Sequence, residues 1–183
     1  GYSYLPIDIE APPQMIKNIL DDANTSLILT ETRFSANIQA LSSEHLTIVA
    51  LDHLGETLKQ EKTTNLNNDR LTHVAYLLYT SGSTGLPKGV QVAHHSIINL
   101  IYAMADELDF TGLDRLLAIT PLTFDLSVPD IYLPLLTGGS LVLAPPTIRF
   151  NPSHMMEHIS TYKVTLMQAT PVTWQMLLNA GWK

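Results

Sequence analysis

The sequence predicts an α/β fold of mostly parallel sheets flanked by helices. Apolar runs of strand length, SLIL at 26–29, LTIVAL at 46–51, VAYLLY at 74–79, RLLAIT at 115–120 and SLVLA at 140–144, alternate with segments of helical periodicity. Strands separated in this way by helices form parallel sheets with helices on their faces. With 183 residues, 45% of them hydrophobic, the chain is long enough to bury a sizeable core.

The elements follow in order. Residues 2–7 read as a short strand and 8–13 as a turn with prolines at its end; 13–22 then form a helix with Met15, Ile16, Ile19 and Leu20 on one face. The buried strand 26–29, a helix over 31–41 and the buried strand 46–51 come next. Residues 52–70, with the polar cluster EKTTNLNND, read as an exposed connection. After the strand 74–79 and the alternating run 90–93, residues 94–108 make an amphipathic helix carrying Ile97, Ile98, Ile101, Met104, Ala105 and Leu108 on one side, with Ser96 able to help cap it. The strand 115–120 leads through a turn at 121–124 to a helical pattern over 124–137, with apolar positions at Leu126, Ile131, Leu135 and Leu136. Pro129 suits the first turn of that helix, Pro134 must kink or end it, and Gly138 with Gly139 stops it. The strand 140–144, a turn-rich crossing at 145–152, a helix over 153–162, a strand at 164–167 and a helix over 171–180 complete the chain. Met155, Met156, Met167 and Met176 read as core filling.

Composition excludes several classes of function. A net charge of −7 offers no basic surface to nucleic acid. Without cysteine there is neither a disulfide nor thiol chemistry. No apolar run approaches the ~20 residues of a membrane span, and the N-terminus lacks the pattern of a signal peptide. The expectation is a soluble, cytoplasmic protein with neither a nucleic-acid nor a membrane partner. Because the chain opens on Gly1 directly in a strand-like segment, it is expected to be a piece of something larger.

One stretch carries chemistry. Residues 79–90, YTSGSTGLPKGV, combine the hydroxyls of Thr80, Ser81, Ser83 and Thr84 with Gly82, Gly85, Gly89, Pro87 and Lys88, and contain no acidic side chain. Glycines let backbone N–H groups approach an anion, hydroxyls donate further hydrogen bonds, and the lysine supplies countercharge. The composition also fits a mobile Ser/Gly surface loop, but a position between two strand-like segments argues against that. It is not a Walker loop, since the lysine leads into Gly89 and a strand rather than a helix.

YTSGSTGLPKGV resembles the phosphate loop of the adenylate-forming superfamily, most closely that of amino-acid adenylation domains of nonribosomal peptide synthetases. The segment from Tyr4 to Asp22 is similar to the family's YVPIDPxYPxxRIxYILxD, with Ala11 in place of the usual tyrosine and Met15 in place of the arginine. FDLSVPDIYLPLLTGGSLVLA is similar to FDxSxxEIFxPLLxGGxLVLA, His94 aligns with the histidine of GVxVxHxxxxNL, and QATP at 168–171 matches a further segment. The resemblance implies that residues 1–183 are part of the large N-terminal subdomain of an adenylation domain, with the C-terminal subdomain, and the adenylation lysine expected in it, absent.

Asp125 shows how the two kinds of reading differ. From spacing alone, an aspartate where a strand hands over to a helix is an ordinary N-cap. The resemblance instead makes it the counter-ion of the α-ammonium group of an amino acid, with Phe124 a wall near the nucleotide and Leu126 and Pro129 lining the side-chain pocket. It further implies that Thr80, Ser81, Gly82, Ser83, Thr84, Gly85 and Lys88 bind the phosphates of ATP, with Thr84 the hydroxyl nearest Mg²⁺. The implied reaction converts an α-amino acid and ATP to aminoacyl-AMP for loading onto the phosphopantetheine thiol of a carrier protein. The family's metal-binding glutamate and ribose-binding aspartate segments do not occur in this sequence, so these residues alone are expected to be inactive without the remainder of the adenylation domain. An acyl- or aryl-CoA ligase sharing the phosphate loop and a noncatalytic interaction module of the same fold are the competing readings. His94 reads as structural, and His154 and His158, four apart around Glu157, as a half-exposed helix face rather than a metal pair.

Overall fold

The computed structural model describes residues 3–41, 46–64, 73–80 and 87–183. The chain divides into two compact units, one built from Ile7–Arg70 and Tyr79–Val90, the other from Tyr2–Pro6, Leu71–Leu78 and Gln91–Lys183. The expected alternation of helices and parallel strands is present in both.

In the first unit, α1 (Pro13–Asp22), β1 (Leu27–Thr30), α2 (Thr32–Leu41) and β2 (Thr47–Ala50) follow one another. β1 and β2 pair in parallel, Leu27 opposite Thr47 and Thr30 opposite Ala50. α1 starts after Pro12 with Pro13 in its first turn, where a missing N–H costs nothing, and buries Ile19 and Leu20. Both strands were expected to be buried, yet Leu27 and Leu29 of β1 are 44% and 59% exposed. A ladder of only two strands leaves one of its faces open, so its burial alternates instead of enclosing every residue. Asp52 accepts the Thr32 backbone N–H at 2.9 Å and so ties the start of α2 to the chain after β2. Beyond a short 3-10 turn and the four-residue α3 (Gly55–Leu58), residues 59–64 are exposed.

The second unit holds the principal core. Its central sheet has the order β6-β5-β7, with β5 (Arg115–Ala118) parallel both to β6 (Ser140–Leu143) and to β7 (Leu166–Met167). Successive residues of a strand face opposite ways. Leu116 accordingly joins a cluster with Ala75, Tyr76, Ile101, Val128 and Leu133, while Leu117 joins Ile148, Met155 and Leu177. β3 (Val74–Thr80) and β4 (Lys88–Ala93) pair with each other, and α4 (His94–Glu107) follows β4 directly. α6 (Pro152–Tyr162) and α7 (Pro171–Asn179) are capped by Asn151 and Thr170, whose side chains accept the backbone N–H groups of His154 and Thr173.

Three expectations are corrected. Residues 3–7, the described part of the segment 2–7, do not form a strand; Tyr4 makes a single parallel bridge to Tyr76, and its ring lies 5.6 Å from that of Tyr76. Ser96 caps nothing, because α4 begins two residues earlier behind Ala93, with no side-chain cap. Of the two outcomes open to Pro134, kinking the helix or ending it, the second does not occur: α5 runs Ser127–Thr137 through it, with Leu133 and Pro134 buried. The buried face of α5 is also different, made of Ser127, Val128, Pro129, Asp130, Leu133 and Pro134, while Leu135 is 61% exposed. Gly138 closes α5 in the left-handed conformation at φ 82°, as a C-terminal glycine should.

Candidate functional site

The glycine- and hydroxyl-rich loop leaves the first unit's part of β3 at Tyr79 and Thr80 and returns at Pro87 and Lys88. Thr80 and Lys88 are exposed at the ends of their strands. Ser81, Gly82, Ser83, Thr84 and Gly85 lie outside the described residues. The stem before the loop is fixed by a long-range bond: the Tyr79 hydroxyl donates to an Asp22 carboxylate oxygen at 2.6 Å. Burial first, and then that carboxylate, push the Tyr79 hydroxyl up to about 12, so it stays a donor. Asn18, Ile19, Asp21 and Asp22 of α1, together with Tyr79 and Pro87, line a cavity of about 340 Å³. Nothing in the local sequence marks Asp22 as a partner of Tyr79, which is 57 residues away.

In the second unit the chain turns between β5 and α5. Phe124 N–H donates to the Pro121 carbonyl at 2.9 Å, and Ser127 N–H to the Phe124 carbonyl at 3.0 Å. Phe124 and Asp125 are exposed, Leu126 is half-buried and Pro129 is buried in the first turn of α5. The N-cap is Leu126 rather than Asp125, and no side chain caps this helix. The capping role that spacing assigned to Asp125 is therefore absent. Its charge acts instead on the second unit's Tyr76, whose hydroxyl is raised by burial and then by Asp125. The turn is braced from the residue that follows β7, because the Gln168 side-chain amide donates to the Leu126 carbonyl at 3.2 Å.

Asp130, one turn into α5, is a residue sequence reasoning passed over. It is 1% exposed, and neither of its carboxylate oxygens has a hydrogen-bond partner. Burial raises its carboxyl above the usual range; Thr120 eases that shift without completing a hydrogen bond to either oxygen. A polar residue inside an apolar helical pattern was the available signal. His94 is exposed at the start of α4, and its backbone N–H donates to the His73 carbonyl at 3.1 Å. The His158 ring nitrogen meets the His154 carbonyl at 3.1 Å, and among the described residues no three His, Cys, Asp or Glu side chains gather to hold a metal ion. Among those residues, too, no helix is long and apolar enough to cross a membrane.

Residues 1–183, the whole chain, match the family model described as AMP-binding enzyme. The chain belongs to the AMP-binding enzyme family. Within that family it is 36% identical over 171 residues to vanchrobactin synthetase VabF of Vibrio anguillarum, covering 93% of this chain and 6% of that protein. It is also 36% identical over 184 residues to tyrocidine synthase 3 of Brevibacillus parabrevis, covering 100% of this chain and 3% of that one. The fold matches a crystal structure of the nonribosomal peptide synthetase FmoA3 bound to α-methyl-L-serine-AMP, with a TM-score of 0.85, 31% identity and coverage of 97% of this chain and 19% of that chain. This chain thus spans only a small part of the relatives it matches. As an AMP-binding family member it retains the parallel α/β architecture that its sequence predicts.

Proposed function

We propose that this chain forms part of an enzyme that activates an α-amino acid with ATP, giving aminoacyl-AMP for transfer to the phosphopantetheine thiol of a carrier protein. The observation that carries the reading is Asp125: an exposed carboxylate on the turn before α5 that is not spent on capping the helix. Such a group is suited to an ammonium ion. Likeness to peptide synthetases, one of them bound to an aminoacyl adenylate, supports the choice of substrate class.

In this reading the amino-acid carboxylate attacks the α-phosphorus of ATP; a new P–O bond forms, the bond to the bridging oxygen breaks, and pyrophosphate leaves. Two anions must be held together while charge builds on the leaving group. The backbone N–H groups and hydroxyls of Thr80, Ser81, Gly82, Ser83, Thr84 and Gly85 would bind the phosphates, with Lys88 offsetting their charge. Mg²⁺ suits hydroxyl and phosphate oxygens, and Thr84 would be its protein ligand. Asp125 would orient the amine, Phe124 would wall the site, and Leu126 and Pro129 would border the side-chain pocket. The carrier protein and the remainder of the adenylation domain are the partners this chemistry requires.

The test is ATP–pyrophosphate exchange by the synthetase that carries this chain, offered amino acids and, separately, carboxylic acids lacking the amine. Amino-acid-dependent exchange that Asp125→Ala removes would support the reading. Exchange driven by the amine-free acids would point to an acyl- or aryl-CoA ligase. Full activity after replacing Lys88 or Thr84 would mean that the loop binds no phosphate. The 183 residues alone are expected to show no exchange.

A further inference from the structure

α1 ends on two carboxylates, Asp21 and Asp22, with no basic residue in its last turn. Negative charge is disfavoured there, because the carbonyl end of a helix is itself negative. Asp21 has a local remedy in Lys17, 3.1 Å away one turn back. Asp22 has none on its own helix, and its partner is the Tyr79 hydroxyl at 2.6 Å. A residue that breaks a local rule in order to reach a distant group is more often serving a site than the helix it sits on.

Tyr79 is the last half-buried residue of β3, and Thr80, already exposed, begins the hydroxyl-rich loop. The bond from Asp22 therefore acts on the residue next to the loop. Pro87, where the chain returns, borders the same cavity as Tyr79 and Asp22. Both stems thus face the C-terminal turn of α1.

We propose that Asp22 is a positioning residue for the phosphate-binding segment, fixing through the Tyr79 hydroxyl the end of β3 at Thr80, from which the sequence of that segment continues. The inference rests on the phosphate role proposed above. A phenol–carboxylate bond is of the charge-assisted kind, and losing one corresponds to about a tenfold change in an equilibrium it controls. The effect should fall on ATP, because the linkage joins the stem of the segment proposed to bind the phosphates and includes none of the residues proposed for the amino acid.

The experiment measures exchange kinetics and thermal unfolding of the carrying synthetase as wild type, Asp22→Ala, Asp22→Asn, Tyr79→Phe and the Asp22→Ala/Tyr79→Phe double variant. Expected are a KM for ATP raised about tenfold in Asp22→Ala and Tyr79→Phe, an unchanged KM for the amino acid, a double variant no worse than either single, and a partial return in Asp22→Asn, whose amide oxygen still accepts. Unmoved ATP constants, or both constants rising together with a lowered melting temperature, would overturn the proposal; Asp22→Asn, which keeps the shape of the side chain, decides the matter if the alanine variant does not fold. A wild type inactive with every amino acid removes the phosphate reading and this inference together, whereas an active wild type with unmoved constants removes this inference alone.

Discussion

Gln168 and Leu126 are 42 residues apart, and the side-chain amide of one donates to the backbone carbonyl of the other at 3.2 Å. Leu126 is the N-cap of α5, and its carbonyl would otherwise face only its own helix. Gln168, just after β7, in this way holds the turn that carries Phe124 and Asp125. Gln168→Ala removes the donor, and Gln168→Glu replaces it with a charge that cannot donate when ionised. On the proposed amino-acid-activating function, both should raise the KM for the amino acid by about three- to tenfold, the equivalent of one neutral hydrogen bond, and leave the KM for ATP in place. Exchange kinetics with each substrate varied in turn check the split.

The adjacent glycines at the end of α5 should respond differently to alanine. Gly138 sits at φ 82° with open space around the position of a side chain, so Gly138→Ala pays only backbone strain of about 1–2 kcal/mol. Gly139 is limited by space instead: an added Cβ would lie 2.7 Å from a ring carbon of Phe110 and 3.1 Å from the Asp114 carbonyl. Phe110 is buried in the core cluster with Leu116 and Leu133 and cannot swing away. Gly139→Ala is expected to destabilise by about 1–3 kcal/mol through overpacking. In denaturant unfolding, Gly138→Asn should recover much of the first loss, because asparagine tolerates the left-handed region, whereas no larger residue should recover the second.

Much of this architecture was legible in the residues. α1 begins and ends where proline and periodicity place it, at Pro13 and Asp22, and the alternation of strand and helix gives the parallel pairing of β5 with β6. What escaped was set by packing between distant residues. Periodicity marks Leu135 and Leu136 among the apolar positions of α5, but the buried face is the one with Val128, Asp130 and Leu133. Hydropathy ranks Asp130 as a surface residue, and only the fold shows that it is enclosed. At the candidate site, the loop composition could be read directly, whereas spacing alone made Asp125 an ordinary N-cap and only the family resemblance singled it out. The bond between Asp22 and Tyr79 could not be read, since each residue is unremarkable within its own segment and only the fold brings them within 2.6 Å.

Asp130 and Asp114 should give stability opposite dependences on pH. Burial raises the Asp130 carboxyl in the folded chain, so the fold binds that proton more tightly than the unfolded chain does. Its contribution is present in full below the unfolded value, near 4, and is lost as pH rises through the raised folded value. Asp114 is the reverse case. It accepts the Thr111 backbone N–H at 2.8 Å, a Thr165 hydroxyl at 2.8 Å and the Thr111 hydroxyl at 3.0 Å, bonds that lower its carboxyl. What Asp114 adds is present above its unfolded value and lost as pH falls through the lowered one. Asp130→Asn should therefore flatten the decline of stability from acid toward neutral pH, and at neutral pH Asp130→Leu should gain about 1–3 kcal/mol by removing an unpartnered buried carboxyl. Asp114→Asn should leave the neutral side of the profile with the wild-type slope and flatten only the acid limb. Urea midpoints at several pH values distinguish the two: equal slopes in wild type and Asp130→Asn above pH about 4 would mean that this carboxyl is hydrogen-bonded in solution, and the expected gain in Asp130→Leu would then become a loss.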